Sequence, residues 1–395
     1  MFGFTFEERT RWEEKFGCSF GKAADQRDML SRLRIGAQFR PTDWLTFSAM
    51  GQDARAPWYG PDAPNTVRDP MDLEEAYVEF FGPQKTGFGS TIGREFVAYG
   101  ETRLIGPTQW GNAARTFDTA RMYYRTSHAR FEALMVSPVK VVIGNFNKPE
   151  LGERLWGTYN VFTSVWHGAS IDAYALRHSQ NKIGGWTGAG TLGTDSFGGR
   201  LYGPLPYSFA YSLEGIGQTG HLGLATQRAY AWFAGANRGF TTLKHPLNIS
   251  AEYKLASGTR PGDAHSGTYD QLYSANHDKF GHEDLFGWRN LKTFKTLETT
   301  NLTKALAVNL MYSNDWLFSP TDSLYSASGS AIATSKKGTA GTHVGQELDS
   351  FLTCKLGAHL VGAGFGHFFA GEFVVATTPH VNPRYLYVFQ QYSFK

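Results

Sequence analysis

The sequence predicts an all-β fold, in which residues 1–395 form one domain, a transmembrane antiparallel β-barrel of about eighteen strands. Three observations predict it. Polar and apolar residues alternate with a period of two along most of the chain, which is typical of strands. Aromatic residues make up 15% of the sequence although hydrophobic residues make up only 41%, a mixture that suits strands with one face toward lipid and one toward water. Short and long connections also alternate between the predicted strands.

The individual strands are predicted from this alternation. Segment 30–39 shows it most clearly, since Arg32 and Arg34 occupy one face while Leu33 and Ile35 occupy the other. The same pattern predicts the remaining strands at 4–13, 45–50, 75–80, 88–97, 115–126, 129–144, 159–167, 169–178, 194–203, 206–216, 222–237, 247–257, 289–300, 305–317, 343–354, 358–369 and 384–394. The total is even, as expected for a bacterial outer-membrane barrel.

The connections support the same architecture. Outer-membrane barrels have short turns on the periplasmic side and long loops on the extracellular side. Short connections are predicted at 40–42, 82–87, 127–128, 167–169, 204–206, 301–304 and 355–357. Long connections are predicted at 15–28, 56–70, 98–114, 145–158, 179–193, 258–288, 318–342 and 370–383. Two connections depart from the alternation. The connection at 217–221 should be long but is short, and the one at 238–246 should be short but is long.

Strand parity also makes a prediction about the two cysteines. Cys18 falls in the first extracellular connection and Cys354 at the periplasmic end of the sixteenth strand. A membrane core of about 30 Å separates those levels, whereas the Cα atoms of a disulfide lie within about 7 Å of each other. We therefore expect no disulfide between them. The loop at 258–288 is far longer than an ordinary connection, and we expect it to fold over or into the mouth of the barrel.

The polar faces of the predicted strands carry many arginines, and we predict these as pore-lining or substrate-binding residues. They are Arg9, Arg11, Arg32, Arg34, Arg94, Arg121 and Arg125. Arginine stays charged and can hold a carboxylate with two hydrogen bonds, so rows of it favour anions in a pore. The alternative is that these side chains pair with carboxylates on neighbouring strands and only fill a polar interior. The sequence leaves both interpretations open.

Other kinds of site are not indicated. The net charge is +3, with 38 basic and 35 acidic residues, which is too balanced to suggest nucleic acid as a partner. A long loop carries His277, Asp278, His282, Glu283 and Asp284 close together, but their spacing matches no metal motif. We predict no metal, no cofactor and no enzymatic activity.

Several segments resemble the alginate export family of outer-membrane barrels. They are residues 32–37 with 43–47, 51–55, 73–79, 93–95, 99–106, 110–112, 115–121, 269–281 and 364–372. The resemblance implies an eighteen-stranded barrel with an electropositive pore that inward-folding loops narrow. It implies that Arg94 and Arg121, with Glu95 and Asp118 near them, are interior or loop-anchoring charges. It also implies that Arg103 stands in an inward-folding loop.

The expected function is that of an outer-membrane channel for anionic solutes or acidic oligo- and polysaccharides, with an arginine-lined lumen. One alternative is a barrel with a plugged lumen that serves as scaffold or anchor for an envelope complex. A third is an enzyme built into the barrel wall. The expected partners are outer-membrane lipid and lipopolysaccharide, the anionic cargo, and proteins of the periplasm.

Overall fold

A closed antiparallel barrel is the architecture of the computed structural model, which describes residues 1–59, 63–82, 86–181, 190–241, 244–277 and 279–394. Within these residues, eighteen strands form the wall, and each pairs with its neighbours in the chain. The first strand pairs with the last from Phe6–Phe394 to Phe16–Arg384, which closes the barrel. The predicted fold class is confirmed. Among the described residues, no helix has the length and apolar character needed to cross a membrane.

The strands are numbered in chain order. They are β1 (Phe2–Phe16), β2 (Gln26–Thr42), β3 (Leu45–Arg55), β4 (Asp69–Phe80), β5 (Gly87–Glu95), β6 (Phe117–Arg125), β7 (Ala129–Lys140), β8 (Lys148–Pro149), β9 (Glu153–Trp166), β10 (Ala169–Gln180), β11 (Leu192–Leu205), β12 (Phe209–Leu222), β13 (Ala225–Phe240), β14 (Leu247–Ala256), β15 (Leu291–Asn301), β16 (Leu306–Leu317), β17 (Ser323–Tyr325), β18 (Ala331–Thr334), β19 (His343–Leu356), β20 (His359–Ala370) and β21 (Arg384–Phe394). The short strands β8, β17 and β18 lie in loops, as do a 3₁₀ helix (Cys18–Gly21) and the helix α1 (Glu372–Thr377).

The strand ends define a short-turn end and a long-loop end of the barrel. At the short-turn end, β2 and β3 are joined by residues 43–44, and β19 and β20 by residues 357–358. Cys18 lies in a connection at the long-loop end, whereas Cys354 lies near the short-turn end of β19, and both are free cysteines. The prediction that they form no disulfide agrees with this placement.

The largest boundary errors, six residues each, fall at the starts of β4 and β9 and at the end of β12, and β12 and β13 are also displaced together. Both strands begin three residues later than predicted, at Phe209 and Ala225. Residues 217–221, predicted as a connection, belong to β12, and the glycines there interrupt the alternation of polar and apolar side chains. Only Gly223 and residue 224 lie between the two strands.

Alternation sets the two faces of the wall. On β2, Leu33 and Ile35 are 36% and 57% exposed on the outside, whereas Arg32 and Arg34 are 2% and 4% exposed on the inside. Exposed aromatic residues surround the short-turn end, among them Phe2, Phe39, Trp44, Phe47, Phe81, Phe88, Tyr124, Phe131, Trp166 and Tyr207. An aromatic belt of this kind marks a membrane–water interface.

Two long loops fold into the barrel and fill its long-loop half. These are the 96–116 loop, between β5 and β6, and the 257–290 loop, between β14 and β15. They pair with each other through backbone hydrogen bonds on both sides of Tyr273, whose N–H donates to Leu104 (2.8 Å) and whose carbonyl accepts from Gly106 (3.0 Å). Aromatic side chains of the 257–290 loop, such as Trp288, are fully buried. The expectation that this loop folds into the mouth is confirmed.

The 257–290 loop is also attached to the wall at β10 and β12. The side chain of His178, on β10, lies 2.6 Å from the Asp270 carboxylate. Gln218, on β12, donates to the Asp270 carbonyl and accepts from its N–H, both at 2.8 Å. These contacts satisfy polar groups that burial inside the barrel would otherwise leave without partners.

Candidate functional site in the barrel interior

Four of the predicted arginines lie on β1 and β2 and hold the 96–116 loop. Arg9, Arg11, Arg32 and Arg34 point inward and are 2–4% exposed. Arg9 donates three hydrogen bonds of 2.9–3.1 Å to carbonyl oxygens of residues 109–111. Arg11 adds one of 2.6 Å and Arg32 two of 3.0 Å to the same segment. The guanidinium groups therefore lie behind the loop and anchor it.

Carboxylates on neighbouring positions pair with the same arginines. Glu7 lies 2.6 Å from Arg32, and Glu74 lies 2.8 Å from Arg34. Arg11 pairs with Glu13 at 2.9 Å. Each arginine in these pairs thus contacts a carboxylate as well as the loop. This agrees with the alternative interpretation, in which the arginines pair with carboxylates and fill a polar interior.

The tip of the 96–116 loop is clamped between the wall and the 257–290 loop. The guanidinium carbon of Arg11 lies 4.2 Å from the centre of the Trp110 ring. On its other side this ring stacks on His277, with 4.5 Å between ring centres. The indole nitrogen donates to the Tyr385 hydroxyl at 3.2 Å. The role of Trp110 was not predicted, because its contacts come from segments far away in the chain.

Arg94 and Asp118 lie outside the lumen, contrary to their predicted place in the pore. They share the outward face of β5 and β6 with Ile92, which is 55% exposed, and with Met122, which is 67% exposed. Arg94 holds Asp118 with two hydrogen bonds of 2.8 and 3.2 Å. It also donates to the Asn147 carbonyl at 3.1 Å, so the alternative role as a loop-anchoring charge agrees with the structure. The prediction failed because Arg94 was assigned to the lumen by its charge, whereas strand parity, with Thr91 buried on the inside, indicates the opposite face.

Arg121 and Arg125 lie on the inward face of β6, as predicted. Arg121 pairs with Glu95 at 2.6 Å and with Glu132 at 3.3 Å. Arg125 stands over the ring of Tyr123, with 3.7 Å between its guanidinium carbon and the ring centre. These two arginines lie toward the short-turn end, away from the anchored tip of the 96–116 loop.

Arg103 lies in the inward-folding 96–116 loop, where the resemblance placed it. Its guanidinium is 2.8 Å from Glu101 and 3.4 Å from Glu252. The guanidinium carbon stands 3.4 Å from the centre of the Phe233 ring. Within the described part of the chain, the Nε and Nη1 donors of Arg103 have no hydrogen-bond partner although both are buried. Buried donors of this kind are uncommon and indicate a place where a ligand group can be accepted.

A second arginine, missed by the sequence analysis, completes this arrangement. Arg200, on β11, donates to Glu101 and to Asp172, each at 3.0 Å. The Glu101 carboxylate thus lies between Arg200 and Arg103. Parity on β11 places Arg200 on the same face as buried Ser196, but Gly198 and Gly199 between them obscured the alternation.

A cavity of about 380 Å³ adjoins Arg103 inside the barrel. Its charged lining residues are Arg103 and the two carboxylates that pair with it, Glu101 and Glu252. Polar side chains of the wall such as Ser212, Asn237 and Ser250 complete the lining. The cavity therefore offers one guanidinium and several neutral hydrogen-bonding groups to a polar solute.

Carboxylates meet where the 257–290 loop reaches β19. Glu283 in the loop lies next to Glu347 and Asp349 of the strand, and its backbone N–H donates to Glu347 at 3.1 Å. Burial and the nearby Asp349 carboxylate raise the pKa of Glu283 to about 8. No group of His, Cys, Asp and Glu in the described ranges is arranged to hold a metal ion. Asp278, which the sequence analysis grouped with these residues, lies outside the described residues.

Solved structures share the fold at low sequence identity. The outer-membrane protein OpdK of Pseudomonas aeruginosa is 7% identical with a TM-score of 0.68, and the match covers 100% of this chain and 99% of that one. OccD3 (OpdP) of the same organism is 11% identical, with a TM-score of 0.66 and coverage of 100% and 91%. OccK2 (OpdF), solved in complex with glucuronate, is 8% identical, with a TM-score of 0.67 and coverage of 100% and 97%.

Sequence comparison identifies the family. No curated protein matches the chain significantly. The sequence profile of the alginate export family, in contrast, matches residues 1–388. With the shared fold of outer-membrane proteins, this match indicates a transport channel of the bacterial outer membrane rather than an enzyme. Because the match spans nearly the whole sequence, the chain belongs to the alginate export family.

Proposed function

We propose that the protein is an outer-membrane channel for small anions that carry a carboxylate, such as uronic acids or short acidic oligosaccharides. The observation that carries the proposal is the Glu101 carboxylate held between Arg103 and Arg200 at the border of the interior cavity. A carboxylate of the solute takes the place of Glu101 between the two guanidinium groups.

The exchange is favourable on physical grounds. It replaces one carboxylate by another, so Arg103 and Arg200 stay paired, while the displaced Glu101 side chain, which is 36% exposed, turns to water. The unpartnered Nε and Nη1 donors of Arg103 supply two further hydrogen bonds, and such bonds between charged groups are the stronger ones. The polar walls of the cavity suit the hydroxyl groups of a sugar. The family's link to alginate export and the glucuronate complex of OccK2 support a uronic acid as the solute.

The size of the passage favours short solutes. The two inward loops occupy the long-loop half of the lumen, and the cavity beneath them measures about 380 Å³. Ligand sites of this volume are at the small end of the usual range of about 300–1,000 Å³. A solute therefore passes the arginines as a single unit or a short chain.

Ion selectivity in planar bilayers tests the proposal. With a KCl gradient, the wild type is expected to favour chloride, and glucuronate added on one side is expected to reduce the current. The R103Q/R200Q double variant should lose both effects, whereas E101Q should strengthen the preference for anions because it removes a negative charge. The matched control is R177Q, which alters an arginine paired with Asp195 on the outer wall. A cation-selective wild type, or a double variant that behaves like R177Q, refutes the proposal.

A second candidate function is a barrel with a closed lumen that serves as a scaffold in the envelope. The observation in its favour is the close packing of the two loops, in which Phe280, Phe286 and Trp288 are 0% exposed. In the same bilayer experiment, a well-folded wild type that carries no current supports this function over the channel.

A further inference from the structure

The outer wall of the barrel carries a cleft of about 680 Å³ at the long-loop end of β4–β7, here called the outer cleft. It forms because β4 and β5 pair over only five residues, from Ala76 to Phe80 on β4. The part of β4 before Ala76 therefore lacks a neighbour on that side. Asn147, in the 141–152 loop, spans the gap, with its N–H on Asp72 (2.6 Å) and its side-chain amide on Asp69 (2.8 Å).

The floor of the outer cleft is apolar and faces lipid. Ile92, Ala120 and Met135 stand side by side on adjacent strands. Ile92 and Met135 are 55% and 51% exposed, and Phe146 from the 141–152 loop is 72% exposed beside them. Alanines at positions 76 and 120 leave the wall recessed between the larger side chains. The depression is thus suited to an acyl chain.

The rim of the outer cleft nearest the loops is cationic. Arg94 and Asp118 also line the cleft and pair with each other at 2.8 Å. Arg154, on β9, is exposed, and no hydrogen bond or ion pair joins its guanidinium to any described residue. Lys148 directly follows Asn147, which lines the cleft, and pairs with Lys140 across β7 and β8. Like charges at such positions repel. Within the described ranges, the only ion pair of the two lysines is that of Lys140 with Glu150, at 3.6 Å. The rim therefore keeps positive charge that the protein leaves without a counter-ion.

The depth of Arg154 in the membrane identifies the missing counter-ion. On β9, Arg154 lies twelve residues from Trp166, which is 73% exposed in the aromatic belt at the short-turn end. Twelve residues span about 40 Å along a strand, or about 30 Å along the membrane normal at a tilt of roughly 40°. Arg154 therefore reaches the headgroups of the leaflet at the long-loop end, which in outer-membrane barrels is the outer leaflet.

We propose that the outer cleft is a binding site for lipopolysaccharide. A phosphate of its lipid anchor binds Arg154 and Lys148, and an acyl chain lies on Ile92, Met135 and Phe146. The phosphate neutralises the rim, where an arginine on the lipid-facing wall would otherwise be unfavourable. This site is separate from the lumen, and its existence does not depend on what the barrel transports.

Thermal unfolding of protein refolded in detergent without lipopolysaccharide tests the site. Added lipopolysaccharide should raise the Tm of the wild type, because a ligand that binds the folded state stabilises it. The R154Q/K148Q variant should need roughly tenfold more lipopolysaccharide for the same shift, since it loses charge-assisted hydrogen bonds. A120W, which fills the floor of the cleft without a change of charge, should weaken the effect as well. The matched control is R228Q, because Arg228 is also exposed at the long-loop end but lies on β13, outside the cleft.

Four results would overturn the proposal. Two concern the protein: an R154Q/K148Q variant that responds like the wild type, and an R228Q control that is impaired as strongly as that variant. Two concern the lipid: dephosphorylated lipopolysaccharide that raises the Tm as much as the intact form, and phosphatidylglycerol that raises it equally at the same concentration. The last result would assign the site to phosphorylated lipids of another kind. Inorganic phosphate alone should leave the Tm unchanged, and a shift equal to that of lipopolysaccharide would show that the acyl chain plays no part.

Discussion

Replacement of Arg9 by Gln is expected to release the 96–116 loop from the wall. Arg9 donates three hydrogen bonds to the carbonyl oxygens of residues 109–111. A hydrogen bond contributes about 1 kcal/mol net, and more when one partner is charged, so the docked state should lose about 3 kcal/mol. Since 1.4 kcal/mol is a factor of ten in an equilibrium constant, the undocked population should rise roughly a hundredfold. Arg11 and Arg32 still hold the loop, so the barrel itself should remain folded.

The labelling rate of a buried cysteine measures this population directly. Ala113 is 5% exposed near the anchored segment, and Ala113→Cys changes the side chain little. In a background where Cys18 and Cys354 are replaced by Ser, a thiol reagent reaches the new cysteine only when the loop opens. The labelling rate should therefore rise roughly a hundredfold with R9Q, in line with the population estimated from the lost hydrogen bonds.

The control for this experiment is R27Q. Arg27 is an exposed arginine on the neighbouring strand that pairs with Glu14, and no hydrogen bond or ion pair joins its side chain to the loop within the described residues. The labelling rate of the R27Q variant should equal that of the Ala113→Cys protein without further changes. If R9Q labels within about twofold of R27Q, the arginines are not the anchors of the loop, and the argument from the hydrogen bonds is refuted.

Two further predictions concern the 257–290 loop. Burial and Asp349 raise the pKa of Glu283 to about 8, because the docked loop favours the neutral carboxyl. Docking of the loop is therefore most stable below about pH 4.5 and weakens as the pH rises through about 8. Single-channel conductance should rise across that range, and E283Q should reduce the change, since Glu347 and Asp349 remain; a pH-independent wild type contradicts this. Deletion of residues 263–283 should raise the conductance at every pH, and an unchanged conductance in folded protein would place the loop outside the conducting path.

The sequence alone determined the wall of the barrel. A strand places successive side chains on opposite faces, so the order Arg32, Leu33, Arg34, Ile35 admits one orientation when one face meets lipid. The eighteen strands and the closure of the first on the last follow from such local patterns. Errors arose where glycines interrupt the alternation, as at Gly217 in β12, and where the charge of a residue was preferred to its strand parity, as for Arg94.

Only the tertiary structure decided what the interior charges do. Arg9 is identified as an inward-facing arginine by its own strand, but its partners are carbonyl groups about a hundred positions away. Backbone carbonyls leave no trace in the sequence, since every residue has one. The arrangement of Glu101 between Arg103 and Arg200 likewise joins a loop to a distant strand. Such contacts depend on the path of the loops through the lumen, which long-range packing sets and local periodicity does not.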